Sequence, residues 1–225
     1  MKKTVLVTGS STGIGQATAY EFAKAGWNVI VTYHSSKKSG LETERECKRL
    51  GSESTLLLHL DVLKESSIKS AFAAIKKKFK KIDVLVNNAG VVVVKPLKDY
   101  TFKDIEWELR TDLEGQIKVT QVMLPIVTKS IINIASNAGT VGWANLTGYC
   151  AAKWGLRGFT KALAAEKPGL LIFAVNPGYT STKMTDFKGI PPARIAELIL
   201  EVLSGKRAME NGGDLNVKEI YPESN

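Results

Sequence analysis

Cysteine is almost missing from this chain: two residues in 225, Cys47 and Cys150, stand far apart and outside any Cys-x-x-Cys pattern. That excludes a disulfide framework and argues against a zinc site, so a cytoplasmic protein without a metal is expected. Long apolar runs are missing too. After Met1-Lys2-Lys3 the stretch Thr4 to Val7 is broken at once by Thr8, Gly9 and Ser10, too short for a signal peptide or a membrane span. No stretch is rich enough in Pro, Gly or Ser to read as a linker, and no repeat of fixed period is visible. A single domain over 1–225 is expected, long enough for one sizeable core and short for two. Acidic residues are in deficit, 22 against 31 basic ones, for a formal net charge of +9. Much of the excess sits in Lys76, Lys77, Lys78, Lys80 and Lys81. These read either as a phosphate-binding patch or as the solvated last turn of a helix, where lysines complement the dipole. No aromatic platform interleaves with them, so the second reading is preferred and no nucleic-acid partner is expected.

What is present is an alternation of short β-branched apolar runs with longer amphipathic segments. Val5 to Thr8, Val29 to Tyr33, Ser54 to Leu60, Val84 to Val86, Ser130 to Ile134 and Leu170 to Val175 read as six strands buried on both faces. Ile14 to Ala25, Gly40 to Leu50, Glu65 to Phe79, Phe102 to Val127, Gly148 to Ala165 and Pro192 to Leu203 read as helices. In the second helix Leu41, Cys47 and Leu50 are the only apolar positions, which places it on the surface. A seventh strand, Leu215 to Ile220, follows Gly212-Gly213. The pattern predicts an α/β fold, a Rossmann-type doubly wound parallel sheet with helices on both faces. In such sheets the ligand crevice lies beyond the carboxyl ends of the strands.

The first strand ends in Thr8-Gly9-Ser10-Ser11-Thr12-Gly13-Ile14-Gly15, and a helix begins inside that motif. Glycines let a backbone turn tightly against a pyrophosphate, whose charge then meets the helix amino terminus. Thr-Gly-x-x-x-Gly-x-Gly resembles the cofactor motif of the short-chain dehydrogenase/reductase family. Asp61-Val62 resembles that family's adenine contact, and Asn87-Asn88-Ala89-Gly90 its next landmark. Ser136, with Tyr149 and Lys153, resembles its catalytic set. Asn176-Pro177-Gly178, followed by Thr180 and Thr182, is similar to its nicotinamide-side loop. The likeness runs in order from Thr4 to about Thr182 and implies hydride transfer between a nicotinamide and a small-molecule carbonyl or alcohol substrate.

Tyr149 and Lys153, four residues apart, share one helical face. A nearby ammonium favours a phenolate, and a positively charged nicotinamide adds to that, which readies Tyr149 for acid-base work. Ser136 can donate a hydrogen bond to a developing oxyanion. The resemblance also implies that Lys153 binds the nicotinamide ribose. Where the family usually has an asparagine, this sequence has Asp112. Its carboxylate either points inward and raises the pKa of Lys153, or lies on an exposed turn.

Cofactor choice turns on the end of the second strand. Tyr33 stands where an NAD-specific protein places a carboxylate, and His34, Ser35, Ser36, Lys37 and Lys38 suit a 2′-phosphate. NADPH is therefore expected over NADH, although Ser10, Ser11 and Thr12 include no basic residue. The remaining cofactor contacts implied by the resemblance are Gly9, Gly13, Ile14, Gly15, Asn87, Ala89, Gly90, Pro177 and Gly178. Only about ten residues separate Thr182 from Pro192, a short lid that implies an open or shallow pocket. Asn211-Gly212-Gly213 replaces the family's Asp-Gly-Gly. A homo-oligomer, dimer or tetramer, is expected from the resemblance. The competing reading is a nicotinamide-binding sensor or scaffold that does no turnover, favoured by Asp112 and the short lid.

Overall fold

The apolar runs become strands because their side chains find cover on both faces. The computed structural model describes residues 2–222, and among them are β1 (Thr4–Val7), β2 (Asn28–Tyr33), β3 (Thr55–His59), β4 (Ile82–Asn87), β5 (Val127–Ile134), β6 (Leu171–Asn176) and β7 (Asp214–Asn216). All pair in parallel, in the order β3-β2-β1-β4-β5-β6-β7. Alternate residues face opposite sides. Val5, Val7, Val29, Val31, Val84 and Val86 pack under α1 (Gly13–Lys24), α2 (Lys37–Leu50) and α7 (Pro192–Leu203). Leu6, Ile30, Leu85, Ile131 and Ile172 pack under α3 (Glu65–Phe79), α5 (Gly115–Met123) and α6 (Thr147–Glu166). Each such side chain is fully buried and contributes about 1.5–3 kcal/mol of apolar transfer.

Four expectations need correction. The helix foreseen from Phe102 to Val127 is three pieces: α4 (Phe102–Leu109), a π-helical turn over Arg110–Glu114, and α5. Pro125, which lacks an amide proton, then tightens the chain into a 3-10 turn, and Val127 already belongs to β5 rather than to a helix. The second helix starts three residues early, at Lys37, because Ser36 caps it by accepting from the Ser39 amide at 3.2 Å. Leu41 on that helix is exposed, and Gly40, Thr43 and Cys47 form its buried stripe. The seventh strand stops at Asn216 and gives way to α8 (Val217–Ile220). Its partner β6 ends at Asn176, before Pro177, so no ladder remains to extend.

The lysine cluster lies where the preferred reading put it, in and just beyond the last turn of α3, with Lys78 donating to the Thr55 carbonyl at 2.6 Å. Among the described residues no helix is long and apolar enough to cross a membrane. The sheet reverses its winding between β1 and β4, and a ligand crevice opens there at the carboxyl ends.

Candidate active site

A cavity of about 940 Å³ runs along those carboxyl ends. At one end Gly9, Ser11, Thr12, Gly13 and Ile14 line it. Gly9 and Gly13 have φ of +62° and +60°, a backbone that L side chains rarely adopt. A Cβ at Gly9 would sit 3.0 Å from Ala89 Cα, so the bare glycine lets the two loops close. Thr12 caps α1 without a side-chain bond, which leaves the first-turn amides available to an anion. A dinucleotide phosphate fits this cradle.

Gly15 does not line the cavity; it supports the wall from behind, where a Cβ would run into Asn88 Nδ2 and lie 2.6 Å from the Gly9 carbonyl. Asn88, a residue given no role of its own from sequence, donates to the Thr8 carbonyl at 2.8 Å and the Gly9 carbonyl at 3.2 Å. Its amide and that of Ala89 both donate to Thr8 Oγ1. Thus β4 clamps the glycine loop. Asn87 points the other way, is fully buried, and donates to Thr120 and Asn133.

Further along the wall lie His34, Ser35, Asp61, Val62, Ala89 and Gly90. The Asp61 carboxylate accepts from the Leu63 amide at 3.0 Å and faces Lys64 at 3.2 Å and His34 at 3.8 Å. Burial alone would raise its pKa, but these partners hold it below the usual carboxylate range. The Tyr33 ring stays outside the cavity lining and packs edge-on against His59, centroids 5.5 Å apart.

Ser136, Tyr149 and Lys153 meet where β5 and α6 reach the cavity. Ser136 Oγ accepts the Ala138 amide at 3.1 Å, which aims the hydroxyl. Lys153 Nζ donates to the Ile134 carbonyl at 3.2 Å and lies 5.3 Å from the Tyr149 ring centroid. Burial raises the Tyr149 pKa; Lys153 and the bond with Ser136 pull it down, and the balance is upward. The protein alone therefore keeps the phenol protonated, whereas lysine proximity taken singly predicts the reverse. Burial pulls Lys153 down, yet Asp112 and Tyr149 carry it above the ordinary lysine range.

Asp112 points inward. Its carboxylate is fully buried, accepts the Val91 amide at 2.7 Å on Oδ1, and approaches Lys153 Nζ to 3.8 Å with Oδ2. Burial pushes its pKa up to about 6 against the pull of Lys153 and Val91. A second buried acid unforeseen from sequence, Glu108, stands one turn earlier and accepts the Val93 amide at 2.7 Å. A charged letter on a short amphipathic helix reads as solvent-facing, so no local signal marked it.

The remaining wall is apolar: Val91, Val92, Val94, Trp107, Trp143, Leu146, Tyr179 and Met184, beside Lys183. Pro177, Gly178, Thr180 and Thr182 close it from below. The Thr182 side chain lies against Gly13, where a Cβ would meet it at 3.4 Å. The short lid folds back on itself, pairing Thr180 with Ile190, and Thr185 Oγ1 reaches the Thr182 and Lys188 carbonyls.

Comparison with known proteins agrees with this fold. The short chain dehydrogenase family model matches residues 3–190. The 3-oxoacyl-[acyl-carrier-protein] reductase FabG of Staphylococcus epidermidis is 36% identical over 194 residues, covering 83% of this chain and 78% of that protein. FabG of Aquifex aeolicus is 38% identical over 189 residues, 81% of this chain and 76% of that one. A crystal structure from Burkholderia xenovorans, assigned to the short-chain dehydrogenases/reductases, superposes with a TM-score of 0.86 at 27% identity and covers 96% of each chain.

Proposed function

This chain belongs to the short-chain dehydrogenase/reductase family of NAD(P)-dependent oxidoreductases, and on that premise we propose that it exchanges a hydride between NADP(H) and a carbonyl or alcohol substrate. The observation that carries the reading is the convergence of Ser136, Tyr149 and Lys153 on one cavity whose far end is a glycine cradle. NADPH, when bound, supplies the hydride. Gly9, Ser11, Thr12, Gly13 and Ile14 would hold its phosphates, Asp61 and Val62 its adenine, and Thr180 and Thr182 the nicotinamide side.

The protein's own part is proton management and alignment. Tyr149 gives its phenolic proton to the carbonyl oxygen, and Ser136 donates a hydrogen bond to the same oxygen as negative charge grows. Lys153 stabilises the phenolate left behind and would bind the ribose hydroxyls of the cofactor. The wall formed by Val92, Val94, Trp107, Trp143 and Met184 suits a substrate with an apolar body. The relatives named for 3-oxoacyl-carrier reduction make a 3-oxoacyl thioester the first candidate. His34 and Ser35 on the wall, with no acid before Glu42, support NADPH over NADH. A cytoplasmic location without a nucleic-acid partner belongs to the same proposal.

The test is NADPH oxidation in the presence of a panel of ketones, aldehydes and a 3-oxoacyl thioester. Turnover with at least one is expected. Tight NADPH binding without turnover of any would establish the sensor instead.

A further inference from the structure

After β4 the chain runs from Asn88 to Val94 without entering any strand. Such a segment must still place its backbone hydrogen bonds. It does so at alternate residues: the Val91 amide donates to Asp112, the Val93 amide to Glu108, and the Lys95 amide to the Asn145 carbonyl at 3.0 Å. The Tyr100 hydroxyl adds a bond to the Val93 carbonyl at 2.8 Å and stands 3.3 Å from Glu108 Oε2.

The spacing explains the pattern. Residues 108 and 112 are four apart, so their Cα atoms are separated by about 6 Å along a helix. Alternate residues of an extended chain repeat at about 6.6 Å. Two carboxylates on one helical face therefore match two amides on one edge of an extended segment. The Val93 side chain turns into the protein, while Val92 and Val94 are left on the cavity wall. Glu108 also meets the catalytic helix: a Cβ at Gly148 would run into its Oε2.

We infer that Glu108 is a positioning residue which, through the Val93 amide and Tyr100, sets the substrate-side wall against the start of the catalytic helix. It does not line the cavity, so its effect falls on substrate fit. The inference rests on the reductase reading for its kinetic consequence, but the hydrogen bond itself can be tested without turnover.

The experiment compares Glu108→Gln and Glu108→Leu in the full chain. Backbone amide hydrogen exchange is followed at Val93, and KM and kcat are measured with ethyl acetoacetate and NADPH. Gln keeps an acceptor for the Val93 amide and should stay within about twofold of wild type in exchange rate and KM. Leu should speed exchange at Val93 at least tenfold and raise KM about tenfold, with kcat within threefold and NADPH affinity unchanged. Should the Leu variant fail to fold, Tyr100→Phe replaces it and should speed exchange at Val93 a few-fold. Wild-type exchange at Val93 in Glu108→Leu, or in Tyr100→Phe where that variant stands in, would overturn the inference. A wild-type enzyme that reduces no carbonyl at all would sink the reductase reading, and the exchange data would still decide the role of Glu108.

Discussion

In the proposed reduction Tyr149 would hold a proton until a carbonyl oxygen needs it, burial raising the phenol while Lys153 lies 5.3 Å from its ring centroid. Tyr149→Phe keeps the ring and its packing but removes the donor. It should abolish NADPH-dependent reduction with cofactor affinity within about twofold, read by steady-state kinetics and fluorescence titration. Lys153→Ala should lose both turnover and affinity, since two roles disappear together. Asp112 allows a prediction about stability with a definite sign. Its folded pKa, pushed up to about 6, lies above the unfolded value of about 3.9. Between those values the folded protein binds more protons than the unfolded one, so stability falls as pH rises through that window. Asp112→Asn keeps an acceptor for the Val91 amide and has nothing to ionise. Its melting temperature should therefore fall less than that of wild type between pH 4 and pH 7, because wild type alone ionises a buried carboxylate across that window. Activity should change less than roughly tenfold. The same change with pH in both proteins would mean that Lys153 holds the carboxylate ionised throughout.

At the scale of elements, the site depends on how closely neighbouring segments approach. The glycine loop and the end of β4 are clamped through Asn88 and Thr8, and Gly15 is the position with no room to spare. Gly15→Ala should displace Asn88, weaken NADPH binding more than tenfold and lower the melting temperature. A variant that binds NADPH normally would show that the loop can shift to absorb a methyl group. The glycine motif and its strand-helix setting were legible in the sequence because glycine spacing is a local signal. The π-helical turn carrying Asp112 was not. Hydrophobic periodicity continues through Arg110–Glu114, so a helix with one inserted residue reads as an unbroken one. Asp112 lies in that turn and is buried there.

For the whole molecule, a formal charge of +9 favours an anionic cofactor over long range, while the proposed preference for NADPH rests on His34 and Ser35 in the cavity wall. A charge-assisted hydrogen bond to a 2′-phosphate is worth roughly 1.5–3 kcal/mol, or one to two decades. NADPH should therefore exceed NADH in kcat/KM by about tenfold or more, the margin should shrink as salt rises, and His34→Asp should reverse it. Equal efficiencies, indifferent to salt and to that substitution, would mean that residues 34–38 are only a solvated turn. The sequence by itself determined the doubly wound sheet, because strands covered on both faces must be apolar almost throughout, and that pattern needs no partner to be read. It also marked out Ser136, Tyr149, Lys153 and the glycine cradle as candidates, through their resemblance to a family pattern, and the fold brings them to one cavity. Only the tertiary structure decided that Asn87 and Gly15 stand behind the cavity wall, that Tyr33 packs on His59, and that Glu108 and Asp112 are buried against the Val91–Lys95 segment. Those outcomes depend on which side of an element meets another part of the chain, and a charged side chain carries no local mark of the amide that will bind it.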